Sequence, residues 1–248
     1  MKINKKSVYH TKNLDHEYYS RQVSTPYEST KKFFSFLNKK IKLKNKNIID
    51  LGCGSGANLI HLKETYQPGI CFGFDQNKDL IDLAKQYSKQ RKLKNLHFAV
   101  KDIQKASQKK LLKPNIDGVI SMQTLSVLDN YEKTIIFAKK LKPKFICVNS
   151  LFWEGNIDFK ISVNFLEKKK RNIKKINHYN IYSIKHYIQF LKKQGYKKNI
   201  FMKFKTEKNL KTKDKSLMGS YSIKLNGGSE IKSGPLILDW YFILSYKN

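Results

Sequence analysis

The chain lacks the features that mark membrane-spanning or secreted proteins. Its 248 residues include no apolar run long enough to cross a bilayer, which takes about 20 consecutive apolar residues. Residues 1–6 provide no apolar core for a signal peptide. We therefore expect a cytoplasmic protein without a membrane span, and the length suits one domain with a full core or one domain plus a cap.

Cysteine is also scarce, and it occurs only at Cys53, Cys71 and Cys147. The number is odd, and the spacing suits neither a zinc site nor a disulfide framework. The histidines are scattered and no paired carboxylates flank them, so the sequence predicts no metal site. We interpret the three thiols as buried side chains in a reducing compartment.

Arginine is rare, although the chain as a whole is strongly basic. Lysine and arginine together number 50 against 19 acidic residues, which gives a formal net charge of +31. Arginine occurs only at Arg21, Arg91 and Arg171. Because phosphate and base recognition usually draws on the planar guanidinium, this composition does not favour a nucleic-acid-binding protein. A surface this basic would nevertheless attract RNA, nucleotide-linked substrates or anionic membranes.

Residues 48–56, Ile-Ile-Asp-Leu-Gly-Cys-Gly-Ser-Gly, form the most informative segment of the chain. An apolar β-branched run ends in Asp50, and residues 57–60 have helical character. Three glycines stand between them at alternate positions, namely Gly52, Gly54 and Gly56. The pattern predicts a buried strand, a tight turn that needs glycine, and the start of a helix. The bare N–H groups at such a helix start can bind the negative end of a ligand.

The next predicted strand, residues 70–74, leads directly to Asp75. An acidic residue about 20 positions after a glycine loop, at the tip of the second strand, is placed to accept hydrogen bonds from both hydroxyls of a ribose. The alternative is that Asp75 caps the helix predicted over residues 78–90. The spacing favours the ribose role.

Three further strands are predicted over residues 96–100, 117–122 and 145–149, with helical segments between them. This alternation predicts a parallel α/β sheet. Ligands of such sheets bind outside the carboxyl ends of the strands. Four polar residues fall at these ends: Asp50, Asp75, Asp102 and Gln123.

The loop spacing G-x-G-x-G after an acidic residue differs from the dinucleotide-binding G-x-G-x-x-G. It resembles motif I of the class I S-adenosylmethionine-dependent methyltransferases, and the resemblance covers residues 16–149 well and later residues loosely. It implies a doubly wound, mostly parallel seven-stranded sheet that ends in an antiparallel strand pair, with the last strand inserted into the sheet. It also implies S-adenosylmethionine as the cofactor and S-adenosylhomocysteine as its product.

The resemblance further implies roles for individual residues. Asp102 would take the adenine amino group and Ile103 would pack on the ring, unless Asp102 is a plain turn residue. Gln123 would lie between cofactor and substrate, or be a solvated amide. In the N-terminal helix, Tyr19 would face the sulfonium and Arg21 would pair with the methionine carboxylate, unless this helix simply docks. The predicted cofactor-binding residues are Tyr19, Arg21, Asp50, Gly52, Cys53, Gly54, Gly56, Asp75, Gln76, Asp102, Ile103 and Gln123.

We expect one domain over residues 1–248, built from four consecutive parts. These are cofactor-covering helices at 16–45, the cofactor-binding core at 46–150, a substrate-side insertion after the fifth strand at 151–182, and a C-terminal helix, strand pair and long loop at 183–248. Ser183 is predicted to cap the helix of the last part. Its strands are predicted at 199–205 and 236–246, and residues 220–224 and 233–236 could form a hairpin lid.

The residues needed on the substrate side depend on the acceptor atom. A hydroxyl acceptor needs a general base, whereas an amine needs only to arrive neutral. The candidates for a base or a substrate-orienting group are Glu154, His178, Tyr182 and His186. His178 is the first choice, although it could equally be a packed or surface residue, and His186 is expected to be structural. Trp153 and Tyr182 are predicted to line the substrate pocket, or else to belong to the core.

We predict methyl transfer to a hydroxyl or amine of a small polar metabolite, such as a sugar or sugar nucleotide. The alternative is an RNA methyltransferase that holds nucleic acid on the basic surface. Residues 121–124, Ser-Met-Gln-Thr, lack the Asn-Pro-Pro-Tyr sequence of some amino-group methyltransferases, which weakens base-amine methylation. A third hypothesis is a cofactor-binding scaffold for another subunit, and the complete set of glycines and acidic strand ends argues against it.

Overall fold

Two helices come first, and from residue 48 to residue 153 the described strands are interspersed with further helices. The computed structural model describes residues 16–105, 115–166, 173–206, 220–225, 228–233, 236–237 and 239–247. The strands are β1 (Ile48–Leu51), β2 (Cys71–Asp75), β3 (Leu96–Val100), β4 (Gly118–Met122), β5 (Phe145–Trp153), β6 (Ser162–Leu166), β7 (Ile173–His178), β8 (Tyr182–Ser183), β9 (Lys198–Lys203), β10 (Ser220–Leu225), β11 (Gly228–Ser233), β12 (Leu236–Ile237) and β13 (Trp240–Tyr246). The helices are α1 (His16–Ser24), α2 (Glu28–Ile41), α3 (Ala57–Tyr66), α4 (Lys78–Gln90), α5 (Tyr131–Lys140) and α6 (Ile184–Lys193), with a 3₁₀ turn at Leu125–Val127. Within these described residues, no helix combines the length and apolar character needed to cross a membrane.

The main sheet has the strand order β3-β2-β1-β4-β5-β13-β9. Its first five strands run parallel, and β13 lies antiparallel between β5 and β9. A short parallel pairing also joins β8 to the end of β5. This topology confirms the predicted mostly parallel seven-stranded sheet with an antiparallel C-terminal pair and an inserted last strand.

The central strands are buried on both faces, which explains why their sequences are continuously apolar. Every residue of β1 and β4 is buried. Alternate residues of β1 belong to different core clusters, Ile48 to one and Ile49 to the other. On the first face, the fully buried ring of Phe242 contacts Phe33 and Phe204 at centroid distances of 5.5 and 5.7 Å, which joins α2 to β13.

Side-chain caps define where three of the helices begin. Asn77 caps α4 and Asn130 caps α5 through their side-chain oxygens. Ser183 Oγ accepts a hydrogen bond from the backbone N–H of His186 at 3.3 Å at the start of α6, as predicted. Because Asn77 caps α4, Asp75 is not needed for that role.

The C-terminal strands differ from the prediction. The last strand begins at Trp240 rather than at residue 236, because β12 pairs with β11 in a separate three-stranded sheet. The predicted hairpin of residues 220–224 with 233–236 forms instead between β10 and β11. Strand β5 continues to Trp153, since β13 pairs with it as far as Leu151 and β8 pairs with its last residues.

Between β5 and β8, the chain forms an antiparallel hairpin of β6 and β7. Asn180, at the base of this hairpin, fixes it to the segment that follows β4. The side-chain amide of Asn180 donates to the carbonyl oxygen of Leu128 at 2.8 Å. Its backbone N–H donates to the carbonyl oxygen of Ser126, also at 2.8 Å. Its side-chain oxygen accepts from the N–H of Ile161 at 3.2 Å. The hairpin base is therefore held against the carboxyl edge of the sheet.

The aromatic contact between β13 and α2 yields a stability prediction. Phe242→Ala should lower the free energy of unfolding by about 3–5 kcal/mol, because a large cavity would remain between packed elements. Urea denaturation followed by circular dichroism measures this change. The control is Phe201→Ala on the neighbouring β9, where 47% of the side chain is already exposed. Equal losses in the two variants would contradict the assigned core.

Candidate active site

A cavity of about 710 Å³ opens where the parallel strands end. Its walls come from the segments directly after β1, β2, β3 and β4, from the N-terminal helices and from the base of the β6–β7 hairpin. Open α/β sheets bind their ligands at this edge. The predicted site residues that line the cavity are Tyr19, Gly52, Cys53, Gly54, Asp75, Gln76, Asp102, Ile103, Gln123 and His178.

The glycine loop after β1 forms one wall. Gly52 and Gly54 have φ angles of 80° and 54°, in the left-handed region that glycine adopts without strain. A Cβ on Gly52 would clash with the side chain of Thr124, so glycine permits the loop to pack on the segment after β4. A Cβ on Gly54 would meet no protein atom within 4 Å and would occupy the space left for a ligand.

Asp75 joins this loop to the end of β2. Its Oδ2 accepts a hydrogen bond from the backbone N–H of Gly54 at 3.0 Å, and its Oδ1 accepts from that of Asn77 at 2.9 Å. A carboxylate oxygen can accept more than one hydrogen bond. Asp75 can therefore accept from a ligand hydroxyl while it still holds the loop.

The segment after β3 presents one polar and one apolar residue to the cavity. Asp102 Oδ1 accepts from the backbone N–H of Gln104 at 2.9 Å, and Oδ2 lies 3.4 Å from Lys105 Nζ. The buried Ile103 lines the same wall. The Gln104 side chain donates to the carbonyl oxygen of Asn130 at 2.9 Å, which holds this segment against the start of α5. Asp102 is therefore both a turn residue and a cavity residue, so both predicted alternatives stay open.

Gln123, directly after β4, has an unusual backbone conformation. Its φ of 57° lies in a region that residues with a Cβ seldom adopt. The Gln123 N–H donates to the carbonyl oxygen of Asn149 at 2.7 Å, which fixes this conformation. Conformations of this kind cluster at ligand sites. Since the exposed side chain also lines the cavity, Gln123 is available for a ligand contact.

Asp50 lies behind the loop and is fully buried. Neither of its carboxyl oxygens has a hydrogen-bond partner among the described residues. Burial, with a smaller contribution from the charge of Asp75, raises the pKa of Asp50 to about 8. The Asp50 carboxyl is therefore largely protonated at neutral pH. Burial also raises the pKa of the Cys53 thiol, so this cavity residue is not a ready nucleophile.

The N-terminal helices close one side of the cavity. Tyr19 of α1 and Tyr27, between α1 and α2, both line it. The side-chain amide of Gln22 donates to the Tyr27 hydroxyl at 3.3 Å. Thr30 Oγ1 donates to Asn58 Oδ1 at 2.9 Å and so ties α2 to the start of α3.

His178 and Asp129 meet at another wall, where His178 Nε2 lies 3.2 Å from Asp129 Oδ1. Both residues line the cavity together with Ser162. Lys160 Nζ donates to the carbonyl oxygen of Asp129 at 3.0 Å, and Asn180 holds the two chain segments together. Within the described residues, no His, Cys, Asp or Glu cluster is suited to hold a metal ion.

Three residues predicted for the substrate side do not line the cavity. Glu154 Oε1 accepts a hydrogen bond from the Tyr241 hydroxyl at 2.8 Å, away from the cavity. Trp153 is 44% exposed on the surface. Tyr182 is buried in the core, where its hydroxyl donates to the carbonyl oxygen of Leu128 at 3.1 Å. The structure therefore corrects the predicted substrate contacts of Tyr182 and Trp153 and the predicted base role of Glu154.

Arg21, Asp50 and Gly56 are also absent from the cavity wall. Arg21 is exposed in the last turn of α1, outside the cavity wall, so its contact with the cofactor stays a prediction. Asp50 and Gly56 act from behind the glycine loop instead. A Cβ on Gly56 would come within 2.7 Å of the Phe98 ring, so this glycine permits close packing of the loop.

Several cavity residues escape prediction from the sequence. Asp129 follows the same strand as Gln123, so a survey of all polar residues in that loop could have found it. Ser162 carries no such signal, because only the pairing of β6 with β7 brings it beside His178. Tyr27 follows Pro26 at a helix boundary, which marks a loop but not its position over the sheet.

Residues 42–209, more than half of the chain, match the model of a family described as a methyltransferase domain. The protein belongs to this family. Its sheet topology is that of the class I S-adenosylmethionine-dependent methyltransferases, as the resemblance implied. S-adenosylmethionine is accordingly the cofactor of the methyltransferase.

Individual relatives differ in how much they share with this methyltransferase. A Coxiella burnetii protein named ubiquinone biosynthesis O-methyltransferase is 33% identical over 69 residues, which cover 28% of each chain. The match therefore spans well under half of that relative. An S-adenosylmethionine-dependent methyltransferase structure from Clostridium acetobutylicum has a TM-score of 0.55 at 12% identity, with 94% of this chain and 97% of that chain covered. The N-terminal domain of EvdMO1, solved with SAH bound, has a TM-score of 0.57 at 11% identity, with 95% and 86% covered. Identities this low establish the fold alone.

The cavity of the methyltransferase fits S-adenosylmethionine chemically. The ribose hydroxyls need acceptors, and the Asp75 carboxyl group lines the cavity. The sulfonium and ammonium groups are cations, and the carboxyl groups of Asp50 and Asp75 flank the glycine loop. Because Gly54 has no Cβ, the cofactor could come close to the backbone of the glycine loop there.

The buried carboxyl of Asp50 makes stability depend on pH. The folded protein favours the neutral carboxyl, because the pKa of Asp50 is raised from 3.8 to about 8. The free energy of unfolding is therefore highest below pH 3.8, where the carboxyl is neutral in both states, and this stability is lost as the pH rises through about 8. Asp50→Asn keeps the shape and cannot ionise. The wild-type free energy of unfolding should therefore fall relative to that of Asp50→Asn between these pH values, by up to about 5 kcal/mol.

Urea denaturation of the ligand-free protein at a series of pH values measures this difference. Asp82→Asn, at an exposed position on α4, is the control and should show no such fall. A difference between wild type and Asp50→Asn that stays constant with pH would contradict the protonated buried carboxyl.

Proposed function

We propose that this protein transfers the methyl group of S-adenosylmethionine to a hydroxyl or amine of a small polar metabolite, for example a sugar or a sugar nucleotide. One observation carries the proposal, namely that the glycine-loop cavity and the His178–Asp129 pair share one space. The cavity volume of about 710 Å³ lies in the upper part of the range of small-molecule sites, about 300–1,000 Å³, which suits a cofactor together with a small acceptor.

The acidic strand ends would hold the cofactor. Asp75 would accept hydrogen bonds from the ribose hydroxyls, while Asp102 would take the adenine amino group and Ile103 would pack against the ring. Tyr19 and Gln123 would lie near the methionine end. When bound, the sulfonium supplies a methyl group on a strongly activated leaving group.

The protein then has two remaining tasks, to align the acceptor and to exclude water. Tyr19 and Tyr27 would cover the cavity from the N-terminal side. The base of the β6–β7 hairpin would cover it at Ser162 and His178. Both walls are held by hydrogen bonds to the body of the protein, so the alignment needs little reorganisation.

His178 would remove the proton of a hydroxyl acceptor. In neutral imidazole one ring nitrogen carries a hydrogen, and the carboxylate of Asp129, 3.2 Å from Nε2, favours that hydrogen on Nε2. The lone pair then lies on Nδ1, which takes the hydroxyl proton. Asp129 thus acts as a positioning residue that fixes the tautomer of the base.

The cavity lining near His178 describes the acceptor. Val127 and Leu128 contribute apolar surface, and Asp129 and Ser162 contribute polar groups. An acceptor with one or two hydroxyls beside a short apolar part would complement this mixture. The Coxiella enzyme is named as an O-methyltransferase, which favours oxygen over nitrogen as the acceptor atom.

Cofactor binding tests the role of Asp75. Asp75→Ala should weaken S-adenosylhomocysteine binding by about 10- to 100-fold, because a hydrogen bond to a charged group contributes about 1.5–3 kcal/mol. Isothermal titration calorimetry measures the affinity, and circular dichroism checks the fold. Asp82→Ala on the exposed face of α4 is the matched control and should bind normally. Wild-type affinity in a folded Asp75→Ala protein would remove the ribose assignment.

Transfer of a labelled methyl group tests the reaction. Labelled S-adenosylmethionine is incubated with the protein and either a small-molecule cell extract or total RNA. We expect the label in the small-molecule fraction. If the label enters only RNA, the alternative of an RNA methyltransferase replaces the proposal. If neither fraction is labelled, the small-molecule and the RNA hypotheses are both contradicted.

The role of His178 is tested in the same assay. His178→Gln should slow transfer to a hydroxyl acceptor by about 100-fold or more, since general-base catalysis contributes at least that factor. S-adenosylhomocysteine affinity should be unchanged. His186→Gln is the control, because His186 pairs with Asp158 outside the cavity wall. A His178→Gln protein as active as wild type would exclude His178 as the base and would favour an amine acceptor.

A further inference from the structure

The segment of residues 153–160, between β5 and the hairpin, has an unusual surface. Its three large apolar side chains face solvent: Trp153 is 44% exposed, Ile157 59% and Phe159 41%. The rings of Trp153 and Phe159 contact each other edge to face at a centroid distance of 6.3 Å. Single exposed apolar residues are common, but three within seven positions mark an interaction site.

The acidic side chains of the same segment bond to the body of the protein. Glu154 accepts the hydrogen bond of the buried Tyr241 hydroxyl at 2.8 Å. Asp158 Oδ1 accepts from the backbone N–H of Ser183 at 2.6 Å and lies 3.5 Å from His186 Nδ1. Both acidic residues are exposed, but their carboxylates have partners within the protein. The three large apolar side chains of the segment therefore share its surface with carboxylates that are already hydrogen-bonded.

We propose that residues 153–160 dock the protein onto an anionic lipid surface, with Trp153, Ile157 and Phe159 inserted at the boundary between headgroups and acyl chains. Tryptophan is enriched at that depth in membrane proteins, because its ring is apolar and its N–H is polar. The binding is peripheral and reversible, like that of other interfacial segments.

The charge of the protein selects the type of lipid. The formal net charge is +31, and anionic headgroups attract basic surfaces near a membrane. A basic residue that faces solvent beside the segment is the exposed Lys185 in the first turn of the neighbouring α6, whereas the ammonium of Lys160 donates to the carbonyl oxygen of Asp129. The same net charge opposes a second copy of this chain as the occupant.

The size of the surface favours lipid over a protein partner. At their exposed fractions, Trp153, Ile157 and Phe159 together offer on the order of 300 Å². A stable protein interface buries about 800 Å² on each partner. Insertion into a lipid surface needs no matching shape, so three side chains with basic neighbours suffice.

The proposed docking segment is continuous with the cavity wall. The backbone of Phe159 pairs with that of Ile181 through hydrogen bonds of 2.8 and 2.9 Å. The next residues on these two strands include Ser162 and His178, which line the cavity. Docking would therefore place the substrate end of the cavity near the lipid surface.

Vesicle flotation tests the proposal on the whole protein. The probes are phosphatidylcholine vesicles with and without phosphatidylglycerol. We expect binding to the anionic vesicles and little binding to pure phosphatidylcholine. The triple variant Trp153→Ser, Ile157→Ser, Phe159→Ser should bind the anionic vesicles more weakly by roughly 100- to 1,000-fold, since each half-exposed side chain contributes a factor of about five to ten.

A matched triple variant separates insertion from general attraction by charge. Val100→Ser, Ile136→Ser, Met202→Ser removes exposed apolar side chains elsewhere on the surface and should bind like wild type. Equal binding by wild type and the triple variant of Trp153, Ile157 and Phe159 would overturn the proposal, because adsorption would then be purely electrostatic. Failure of the wild type to bind anionic vesicles would also overturn it and would favour a protein partner.

Fluorescence quenching reports insertion directly. The chain has two tryptophans, Trp153 in the segment and the half-buried Trp240 in β13. Vesicles with brominated acyl chains should quench wild-type emission, and Trp153→Phe should abolish that quenching. Quenching that persists in Trp153→Phe would contradict insertion of this segment. S-adenosylhomocysteine binding by every variant, measured without vesicles, keeps this test independent of the proposed methyl transfer.

Discussion

The cavity depends on one constraint, the attachment of the glycine loop to the end of β2. The carbonyl oxygen of Phe74 accepts hydrogen bonds from the N–H groups of Gly52 and Cys53 at 2.8 and 3.0 Å, and the Asp75 carboxylate accepts from Gly54. These bonds turn the chain sharply away from β1. Since β2 and β4 flank β1, the turn leaves an opening between their carboxyl ends. The ligand site is therefore a consequence of strand order together with a loop that only glycine can form.

The same attachment explains the unfavourable position of Asp50. It lies directly behind a loop that the neighbouring Asp75 holds in place, so its ionised form loses hydration and meets a second negative charge. A cationic ligand at the loop would relieve both penalties and draw the proton from Asp50. Cofactor binding would then stabilise the fold by more than its direct contacts contribute, and the ligand-free protein retains a destabilising group because the site requires it.

The sequence predicted the cofactor half better than the substrate half, for a physical reason. Strand periodicity and the rule that ligands meet strand ends are local signals, and they brought Asp75, Asp102 and Gln123 to one cavity. The substrate half depends on long-range pairing. Tyr182 belongs to the core because Tyr131 packs on it at 4.7 Å, and nothing in its own segment shows this. Asp129 meets His178 only because Asn180 fixes the hairpin to the loop after β4.

The predicted aromatic pocket and the proposed docking segment have a common cause. The sequence predicted that Trp153 lines a pocket or belongs to the core, because large aromatic side chains are usually at least partly buried. In the folded chain, the neighbouring Glu154 is hydrogen-bonded to Tyr241, and the Trp153 ring is exposed. Docking of this segment would bring the wall that carries His178 near a lipid surface, because Phe159 pairs with Ile181 on the same hairpin base. The mixed lining of Val127, Leu128 and Ser162 faces the cavity rather than that surface, so docking and acceptor binding use different sides of one wall.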